Sequence, residues 1–389
     1  MNVPKLRFKE FNDESYRKYI LKNIISYIAD NRGKNPDYYL DSGIPVIDNF
    51  MIQNQGYPDL SRANRYIDDN IYENFIRKAI EYNDTLITLV GNGIGNICLT
   101  PKEKCVIIQN TLGLRTNKFN DKKYLYHLLT YKNSEIKKLD RGMAQPSIRQ
   151  DELLKLEVTI PNINEQLKIS NFLSLLDKKI ELQSKKIEDL KLFKKGLNKN
   201  IFSNFNAKYK IDELIKEYNQ KTSKNNQFEV LSSTANGIIL QNEYFNKQAA
   251  SLDNTGYKIV PFGFITYRSM SDTGEFHFNI QNITENGIVS PAYPVFEINE
   301  DIVDKTYFIY YINENKSFKN KILSLKEGGT RYALSMSKFK EINLDLPPLE
   351  YQKKYSKLLN TYNRKIKNEE NKFNKLQELK KGLMQNMFV

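Results

Sequence analysis

Two segments of the chain carry apolar residues at alternating steps of four and three positions, which is the period of helices that pack in a coiled coil. The first seam consists of Ile169, Leu173, Leu176, Ile180, Gln183, Ile187, Leu190, Lys194, Leu197 and Ile201. The second consists of Tyr355, Leu359, Tyr362, Ile366, Glu369, Phe373, Leu376, Lys380, Leu383 and Met387. Polar residues interrupt both seams at the same two places. Each helix would be about 55 Å long, and the pattern predicts that the two seams bury each other.

The two segments are copies of one another, placed 186 residues apart. Residues 165–202 align without a gap on residues 351–388, with 14 of 38 pairs identical, and the clearest match is KKGL-x-x-N-x-F. Pro161 and Pro347 keep the same offset, as do Gly142 and Gly328. One long gapless repeat indicates two copies of one module, since a solenoid would show many short ones.

The polar seam positions suggest how the helices pair. Buried polar residues in a coiled coil fix its register, and an antiparallel pair with Gln183 opposite Lys380 also places Lys194 opposite Glu369. In the alternative arrangement, each helix lies on the surface of its own domain.

Two globular stretches, about 1–164 and 203–350, precede the helices and show mixed α/β signals. The first has helical patterns at 15–28 and 122–129 and strand patterns at 44–47, 85–90 and 105–108. The second has strand patterns at 228–231, 263–267 and 292–298 and a helical pattern at 304–312. The segment DTLITLVG in the first resembles GFITYRSM in the second, so similar frames with different loops are expected.

Composition and charge narrow the class of protein. A chain of 389 residues with 40% hydrophobic and 12% aromatic residues builds cores for two or three domains. We expect a cytoplasmic location, because no apolar run approaches about 18 residues and the first residues are too charged for a signal peptide. Two cysteines and two histidines make a structural metal site an unfavoured interpretation.

The formal net charge of +13 is concentrated in the helical segments, which carry +4 and +7 of it. The domains are therefore nearly neutral in sum, and a nucleic-acid-binding surface on them requires segregated charges. Basic solvated helix faces are the alternative explanation of the surplus.

Motifs for catalysis are missing from the sequence. It contains neither a G-x-x-x-x-G-K-[ST] phosphate loop nor the Asn/Asp-Pro-Pro-aromatic element with which amino-methyltransferases hold a base. Gly91, Gly93 and Gly95 follow a strand pattern, but the next residues, ICLTPKEK, do not predict the helix that a dinucleotide loop needs. A turn is the expected structure there.

The ends of the two domains carry a resemblance to a known family. They read RGMAQPSIRQDELLKLEVTIP at 141–161 and GGTRYALSMSKFKEINLDLPP at 328–348, followed by Gln166 and Gln352 at the helix starts. With the internal doubling, this layout resembles the specificity (S) subunit of type I restriction-modification systems over essentially the whole chain. The segment around Tyr16, Tyr19 and Tyr27 departs from the pattern, because it does not align clearly with 208–218.

The resemblance implies a mixed α/β (α+β) fold with two target-recognition domains and two long helices that form an intramolecular antiparallel coiled coil. The expected divisions are 1–164 for the first domain, 165–205 for the first helix, 206–350 for the second domain and 351–389 for the second helix. Each domain would read one half of a split site on double-stranded DNA, without catalytic activity of its own.

The resemblance also implies partners and cofactors. Two methyltransferase subunits would bind the coiled coil, with restriction subunits as further partners, and no self-dimer is required. This chain would hold no cofactor; S-adenosylmethionine would belong to the methyltransferase, and ATP and Mg to the restriction partner.

Base reading requires Arg, Lys, Asn and Gln side chains on loops held by a rigid frame. The first domain offers Arg62, Asn64, Arg65, Asn92, Asn110, Arg115 and Arg141. The second offers Tyr267, Arg268, Ser269, Asn279, Gln281, Asn282 and Arg331. Asn92, Arg268 and Arg331 are favoured because of their places at strand ends and in a Gly-Gly loop.

The KKGL segments are the candidates for coiled-coil and methyltransferase contacts. Their residues are Lys194, Lys195, Leu197, Phe202, Lys380, Lys381, Leu383 and Phe388. Two other functions stay open at this point, a stand-alone DNA-binding regulator and a structural coiled-coil adaptor.

Overall fold

The computed structural model describes residues 3–33, 35–53, 56–142, 144–202, 205, 207–241, 253–324 and 332–389. Contacts divide the chain into two compact units, one of residues 1–186 with 369–389 and one of residues 187–368. Each unit therefore combines one domain with parts of both long helices. The first long helix is Ile163–Ile201 and the second is Leu349–Met387.

The domain of the first unit is mixed in secondary structure. Its strands are Arg17–Ile20, Ile25–Ala29, Ile44–Pro45, Tyr66–Ile67, Thr85–Thr88, Ile97–Leu99, Thr111–Thr116 and Glu157–Ile160. Its α-helices are Leu21–Ile24, Asp69–Phe75, Lys122–Tyr131, Asn133–Lys137 and Gln150–Leu154, with 3-10 turns at Lys9–Phe11, Asn49–Met51 and Leu60–Arg62. The helix Lys122–Tyr131, here called the first support helix, begins where the sequence predicts it, because the Asp121 side chain caps it by accepting from Tyr124 N.

Four strands form the central antiparallel sheet of this domain, in the order Ile25–Ala29, Thr111–Thr116, Thr85–Thr88 and Ile97–Leu99. The last two pair as a hairpin, so the glycine-containing segment between them is the turn that the sequence predicts. Thr85–Thr88 is buried along its whole length, because the support helix covers one face and the segments around Ile47 and Ile107 cover the other. This buried strand ends at the loop that carries Asn92.

The helix predicted at 15–28 is wrong. The chain instead forms a strand, Arg17–Ile20, a single helical turn, Leu21–Ile24, and a second strand, Ile25–Ala29. The apolar spacing of this stretch resembles a helical one because Leu21 and Ile24 occupy a real turn, whereas the flanking residues pair with two different partner strands. The strand predicted at 105–108 is also not formed; Val106 makes only an isolated bridge to Val46.

The domain of the second unit repeats the central sheet and the support helix of the first and differs in its other strands. Its strands are Ala207–Lys210, Ile215–Glu217, Glu229–Thr234, Gly237–Leu240, Lys258–Pro261, Ile265–Thr266, Met270–Ser271, Asn279–Ile280, Asn286–Val289, Val295–Ile298, Tyr332–Ala333 and Asn343–Leu346. Its helices are Ile211–Leu214, Lys305–Glu314, Lys316–Ser324 and Met336–Glu341. The second support helix is Lys305–Glu314, capped by Asp304 as the first is capped by Asp121.

The central sheets of the two domains have the same order. In the second domain it runs Ile215–Glu217, Val295–Ile298, Ile265–Thr266 and Asn279–Ile280. The strand, helical turn and strand at 207–217 match those at 17–29, which resolves the stretch that the sequence left unaligned. The additions differ: a two-stranded sheet with Ile44–Pro45 in the first domain, and a further four-stranded sheet with Glu229–Thr234 in the second.

A buried glutamine joins each domain to the long helix that follows it. Gln166 Nε2 donates to the Pro161 carbonyl at 2.9 Å, and its Oε1 accepts from Asp121 N at 3.0 Å. In the second unit, Gln352 Nε2 donates to Pro347 O at 2.8 Å and its Oε1 accepts from Asp304 N at 2.9 Å. Each glutamine thus fixes the start of a support helix against the start of a long helix.

The long helices run antiparallel within the first unit. Gln183 Nε2 donates to Glu369 Oε2 at 2.7 Å, and further along, Lys380 pairs with Asp177. The predicted register is therefore wrong, since Lys380 does not lie opposite Gln183, and Lys194 pairs with Glu314 of the second support helix at 2.7 Å. Glu369 and Lys380 are both polar breaks of the second seam, so the positions of the breaks alone do not decide which of the two lies opposite Gln183.

The ends of the long helices pack into the domain cores, and these contacts select the register of the helix pair. Met384, Met387 and Phe388 belong to the core of the first unit, and the Phe388 ring lies 5.4 Å from those of Tyr124 and Tyr131. In the second unit, Ile201 lies in the core and Phe202 packs edge-on against Tyr307 and Tyr311. Each KKGL segment thus anchors a helix end to a support helix.

Candidate nucleic-acid interface

Several predicted base-reading residues of the first domain are occupied by partners inside the domain. Arg65 pairs with Asp48 through two nitrogens, and its guanidinium lies 4.6 Å from the Tyr39 ring centre. Arg115 donates to the buried Asp84 at 2.8 Å and 3.0 Å. Both guanidinium groups tie distant parts of the domain together, and the neighbouring carboxylates raise the pKa of each above its ordinary value.

The other candidates of the first domain lie at or near its surface. Arg62, Asn64, Asn92 and Arg141 are exposed, with Arg62 over the Phe50 ring and Arg141 paired with Glu152 at 2.6 Å. Asn110 is half-buried and has a positive φ of 61°, a backbone conformation that asparagine tolerates better than most residues. Asn92 is thus the candidate placed directly at the end of the buried central strand.

In the second domain, three candidates are structural. Tyr267 is fully buried, and its hydroxyl donates to Leu334 O at 3.1 Å. Gln281 is also fully buried and donates to Thr284 O at 2.6 Å, while Asn279 donates to Ser233 Oγ and to Thr234 O, both at 2.8 Å. These contacts direct the three side chains to the protein interior.

The remaining candidates of the second domain follow its central strand. Arg268 and Asn282 are exposed, and Ser269 is half-buried, with its carbonyl accepting from Leu334 N at 2.9 Å. Arg331 lies outside the described residues. The first domain has the same contact at the same place, from Ile148 N to Leu89 O at 2.8 Å.

The KKGL residues divide into inward and outward sets. Leu197 and Phe202 pack against the core of the second unit, and Leu383 and Phe388 pack in that of the first. Lys194 and Lys380 are held by carboxylates, as described above. Only Lys195 and Lys381 of this set are exposed.

The first unit contains a buried polar layer between its support helix and the long helices. His127 is fully buried, with Nε2 3.3 Å from Ser174 Oγ and Nδ1 3.9 Å from Asp177 Oδ2. Burial and the positive charge of Lys380 hold the pKa of His127 well below its ordinary value, so its ring is neutral. Burial also raises the pKa of Asp177, although the neighbouring Lys380 opposes that shift.

The second unit has a corresponding layer with different side chains. The Tyr310 hydroxyl donates to Asn360 Oδ1 at 2.7 Å and accepts from Asn363 Nδ2 at 2.7 Å, and Lys194 Nζ lies 5.5 Å from its ring centre. Asn360, Asn363 and Lys194 are the repeat counterparts of Ser174, Asp177 and Lys380. The layer of the first unit therefore contains a histidine and a carboxylate, whereas that of the second unit contains a tyrosine and two asparagines beside the Lys194–Glu314 pair.

Metal ligands and membrane spans can be assessed for the described residues. No cluster of three or more His, Cys, Asp or Glu side chains there is arranged to hold a metal ion. No helix there combines the length and apolar character that a membrane span requires.

Comparison with known proteins gives consistent matches over both halves of the chain. The family model for the type I restriction modification DNA specificity domain matches residues 15–192 and again residues 200–378. The MjaVIII type I restriction enzyme specificity subunit of Methanocaldococcus jannaschii is 23% identical over 97% of this chain and 94% of its own. A putative specificity subunit of the same organism, MjaX, is 24% identical over 82% of this chain and 80% of its own.

Solved structures share the fold. The S subunit of a type I restriction-modification system from M. genitalium superposes with a TM-score of 0.64 and 18% identity, covering 100% of this chain and 99% of that one. A chain from a structure of type I system assembly and conformational transition gives a TM-score of 0.53 and 16% identity, over 96% and 97% of the two chains. At these identities the likeness concerns the fold alone.

Proposed function

Because this chain belongs to the type I restriction-modification DNA specificity family, we propose that it is the DNA-recognition subunit of a type I restriction-modification complex. The observation that carries the proposal is the doubled frame. Two family matches coincide with two domains that share one sheet order but differ in their additions. Because the two domains share the central sheet, each would join its long helix in the same way. The sheets that are found in one domain only would give each domain its own surface for reading DNA.

Each domain is proposed to read one half of a bipartite site. The divisions are residues 1–164 and 206–350 for the two target-recognition domains, with the helices 165–205 and 351–389 between and after them. Because both helices are continuous over 39 residues, they are suited to hold a fixed spacing between the two half-sites.

Partner subunits are proposed to supply the chemistry. Two methyltransferase subunits, one for each pseudo-equivalent half, would bring S-adenosylmethionine, and restriction subunits would bring ATP and Mg. The outward helix faces offer apolar side chains to a partner, since Leu175, Leu182, Leu192 and Leu379 are each more than half exposed. A self-dimer is not needed, since one chain already holds two copies of the module.

The test is to co-express the chain with its methyltransferase in cells and to map the modified bases by single-molecule sequencing. A single gapped motif of two short words is expected, and exchange of residues 1–164 for those of a relative should replace one word alone. Cells with the methyltransferase but without this chain serve as the control. Scattered modification without a two-part motif contradicts the proposal.

The spacing role has its own test. Insertion of seven residues into each long helix beside the Gln183–Glu369 contact should lengthen the gap without altering either word. An unchanged gap in a complex that still methylates excludes the helices as the spacer.

A stand-alone regulator and a coiled-coil adaptor are less favoured by the family match. DNA selection with the isolated chain separates them from the recognition subunit. Tight, specific binding without any methyltransferase would favour the regulator, and no sequence preference with any partner would favour the adaptor.

A further inference from the structure

We propose that Gln145 reads a base in the half-site of the first domain, pairing its side-chain amide with an adenine edge in the major groove. The proposal rests on the DNA-recognition function proposed above and assigns one of its contacts. It concerns a residue outside the set that composition and strand ends suggested.

Hydrogen bonds join the described residues on the two sides of the loop that carries Gln145. Asp140 Oδ1 accepts from Gly142 N at 2.9 Å and from Ser147 N at 2.7 Å, and Arg141 N donates to Ser147 O at 3.0 Å. A Cβ on residue 142 would overlap the Gln145 carbonyl oxygen, so this close approach requires glycine. The backbone at Gln145 is therefore set before any ligand arrives.

The same loop is fixed to the end of the central sheet. Ile148 is buried and donates to Leu89 O at 2.8 Å, and Gly91 N donates to the Pro146 carbonyl at 2.9 Å. A side chain that recognises a partner gains affinity when its support is already rigid, because less conformational entropy is lost on binding. Gln145 has such support on both sides.

The Gln145 side chain is exposed, and its amide makes no hydrogen bond to any residue that the structure describes. A Cβ on Gly91, whose φ is +93°, would lie 3.6 Å from Gln145 Nε2 and from Asn49 Nδ2. Asn49 is already engaged, since it donates to Val90 O at 2.9 Å, whereas Gln145 keeps a donor and an acceptor for a ligand. A glutamine amide with both groups open matches the N6 and N7 atoms of adenine.

Lys137 lies against the same loop after the central strand that Gln145 approaches: a Cβ on Gly95 would meet Lys137 Cγ, and a Cβ on Gly91 would lie 3.6 Å from Gln145 Nε2. The short helix Asn133–Lys137 lies against the loop after the central strand, where Asn133 Nδ2 donates to Gly95 O. Lys137 and the following Lys138 are exposed. Exposed lysines and an open amide around one loop suit a DNA surface, in which phosphate contacts position the duplex and base contacts select the sequence.

The internal repeat also bears on the proposal that Gln145 reads a base. At the offset of 186 residues, Gln145 corresponds to Arg331, which lies outside the described residues, and Ile148 corresponds to Leu334. Glutamine favours adenine and arginine favours guanine, so a difference at this position agrees with two domains that read different words.

The test compares methylation motifs of complexes containing the full chain, first wild type and then Gln145→Ala. We expect the variant to lose roughly 10- to 100-fold discrimination at one adenine position in the word of the first domain, with all other positions unchanged. Gln377→Ala, the same change at an exposed glutamine on the second long helix, is the matched control and should leave the motif intact.

Lys138→Ala separates base reading from phosphate contact. It should weaken methylation at all sites alike and reduce the salt dependence of DNA binding, without relaxing any position. A Gln145→Ala complex with an unaltered motif, or with uniform weakening like that of Lys138→Ala, overturns the proposal. Absence of a two-part motif in the wild type would instead overturn the underlying function.

Discussion

Gln183 and Glu369, which are counterparts in the internal repeat, are hydrogen-bonded to each other at 2.7 Å. In an antiparallel pair of repeated helices, counterparts meet each other in one layer only, so this pair defines the register of the two long helices within the first unit. Lys186 and Lys372, also counterparts, both approach the Glu369 carboxylate, at 3.1 Å and 3.0 Å. The central layer is thus symmetric in position but not in chemistry, with one acid between two lysines.

Glu369 should stay ionised far into the acid range. Hydrogen bonds from Gln183, Lys372 and Lys186 lower the pKa of its carboxyl to about 2. A lowered pKa means that the group stabilises the fold above its unfolded pKa of about 4.3 and that this contribution is lost as the pH falls toward 2. Carbon NMR of the labelled Glu369 carboxyl should show a titration midpoint well below about 4.3, and Gln183→Ala should raise that midpoint. A wild-type midpoint of about 4.3 would contradict the hydrogen bonds assigned to Glu369.

His127 should make the stability of the first unit depend on pH in the neutral range. Because its folded pKa lies well below the unfolded value of about 6.5, protons bind the unfolded chain first, and stability falls as the pH drops below about 6.5. The limiting slope for one such group is about 1.4 kcal/mol per pH unit. Urea unfolding at pH 7.5 and 5.5 measures it.

The control for this effect is the other histidine. His127→Gln should reduce the loss of stability between the two pH values, whereas His277→Gln should retain it. An equal loss in both variants would assign the slope to other groups.

Phe388→Ala should loosen the end of the second long helix. The ring is 3% exposed and packs on two tyrosines, and removal of such a buried aromatic side chain costs about 3 to 5 kcal/mol. Urea unfolding and faster proteolysis near the C-terminal end of that helix would report it. Phe119→Ala, at a side chain 68% exposed, should change stability by less than about 0.5 kcal/mol.

Arg7→Ala should destabilise the first unit, because it removes the positive charge that neutralises a buried carboxylate and leaves that carboxylate the Tyr16 hydroxyl as a side-chain donor. Arg7 donates to both oxygens of Glu165, at 2.9 Å and 2.8 Å, and the Glu165 side chain is fully buried. Breaking a buried pair from one side costs about 3 to 5 kcal/mol.

Two variants test the interpretation of that result. Arg7→Met with Glu165→Met should restore part of the loss, since no charge remains buried. Lys104→Ala, which removes an exposed pair with Asp69, should cost at most about 1 kcal/mol. Equal losses from Arg7→Ala and Lys104→Ala would show that burial has no effect on the pair.

The sequence predicts features that depend on local periodicity. The two seams predict the long helices, and the helical patterns at 122–129 and 304–312 predict the support helices, which the structure contains. It did not predict features that depend on distant partners. Arg115 is an attractive base reader by type, yet Asp84, 31 residues earlier, occupies it, and Tyr267 points inward because its hydroxyl reaches Leu334. Gln145 was missed because no apolar pattern marks it, although the repeat aligns it with the predicted Arg331.

Both units contain parts of both long helices, and this affects the order in which the two units can complete their folding. Met384, Met387 and Phe388 belong to the core of the first unit, but the ribosome adds them after every residue of the second unit. A nascent chain that has emerged as far as residue 368 holds every segment of the second unit and lacks part of the first. The first unit, whose synthesis begins first, therefore completes its core only after every segment of the second unit has been synthesised.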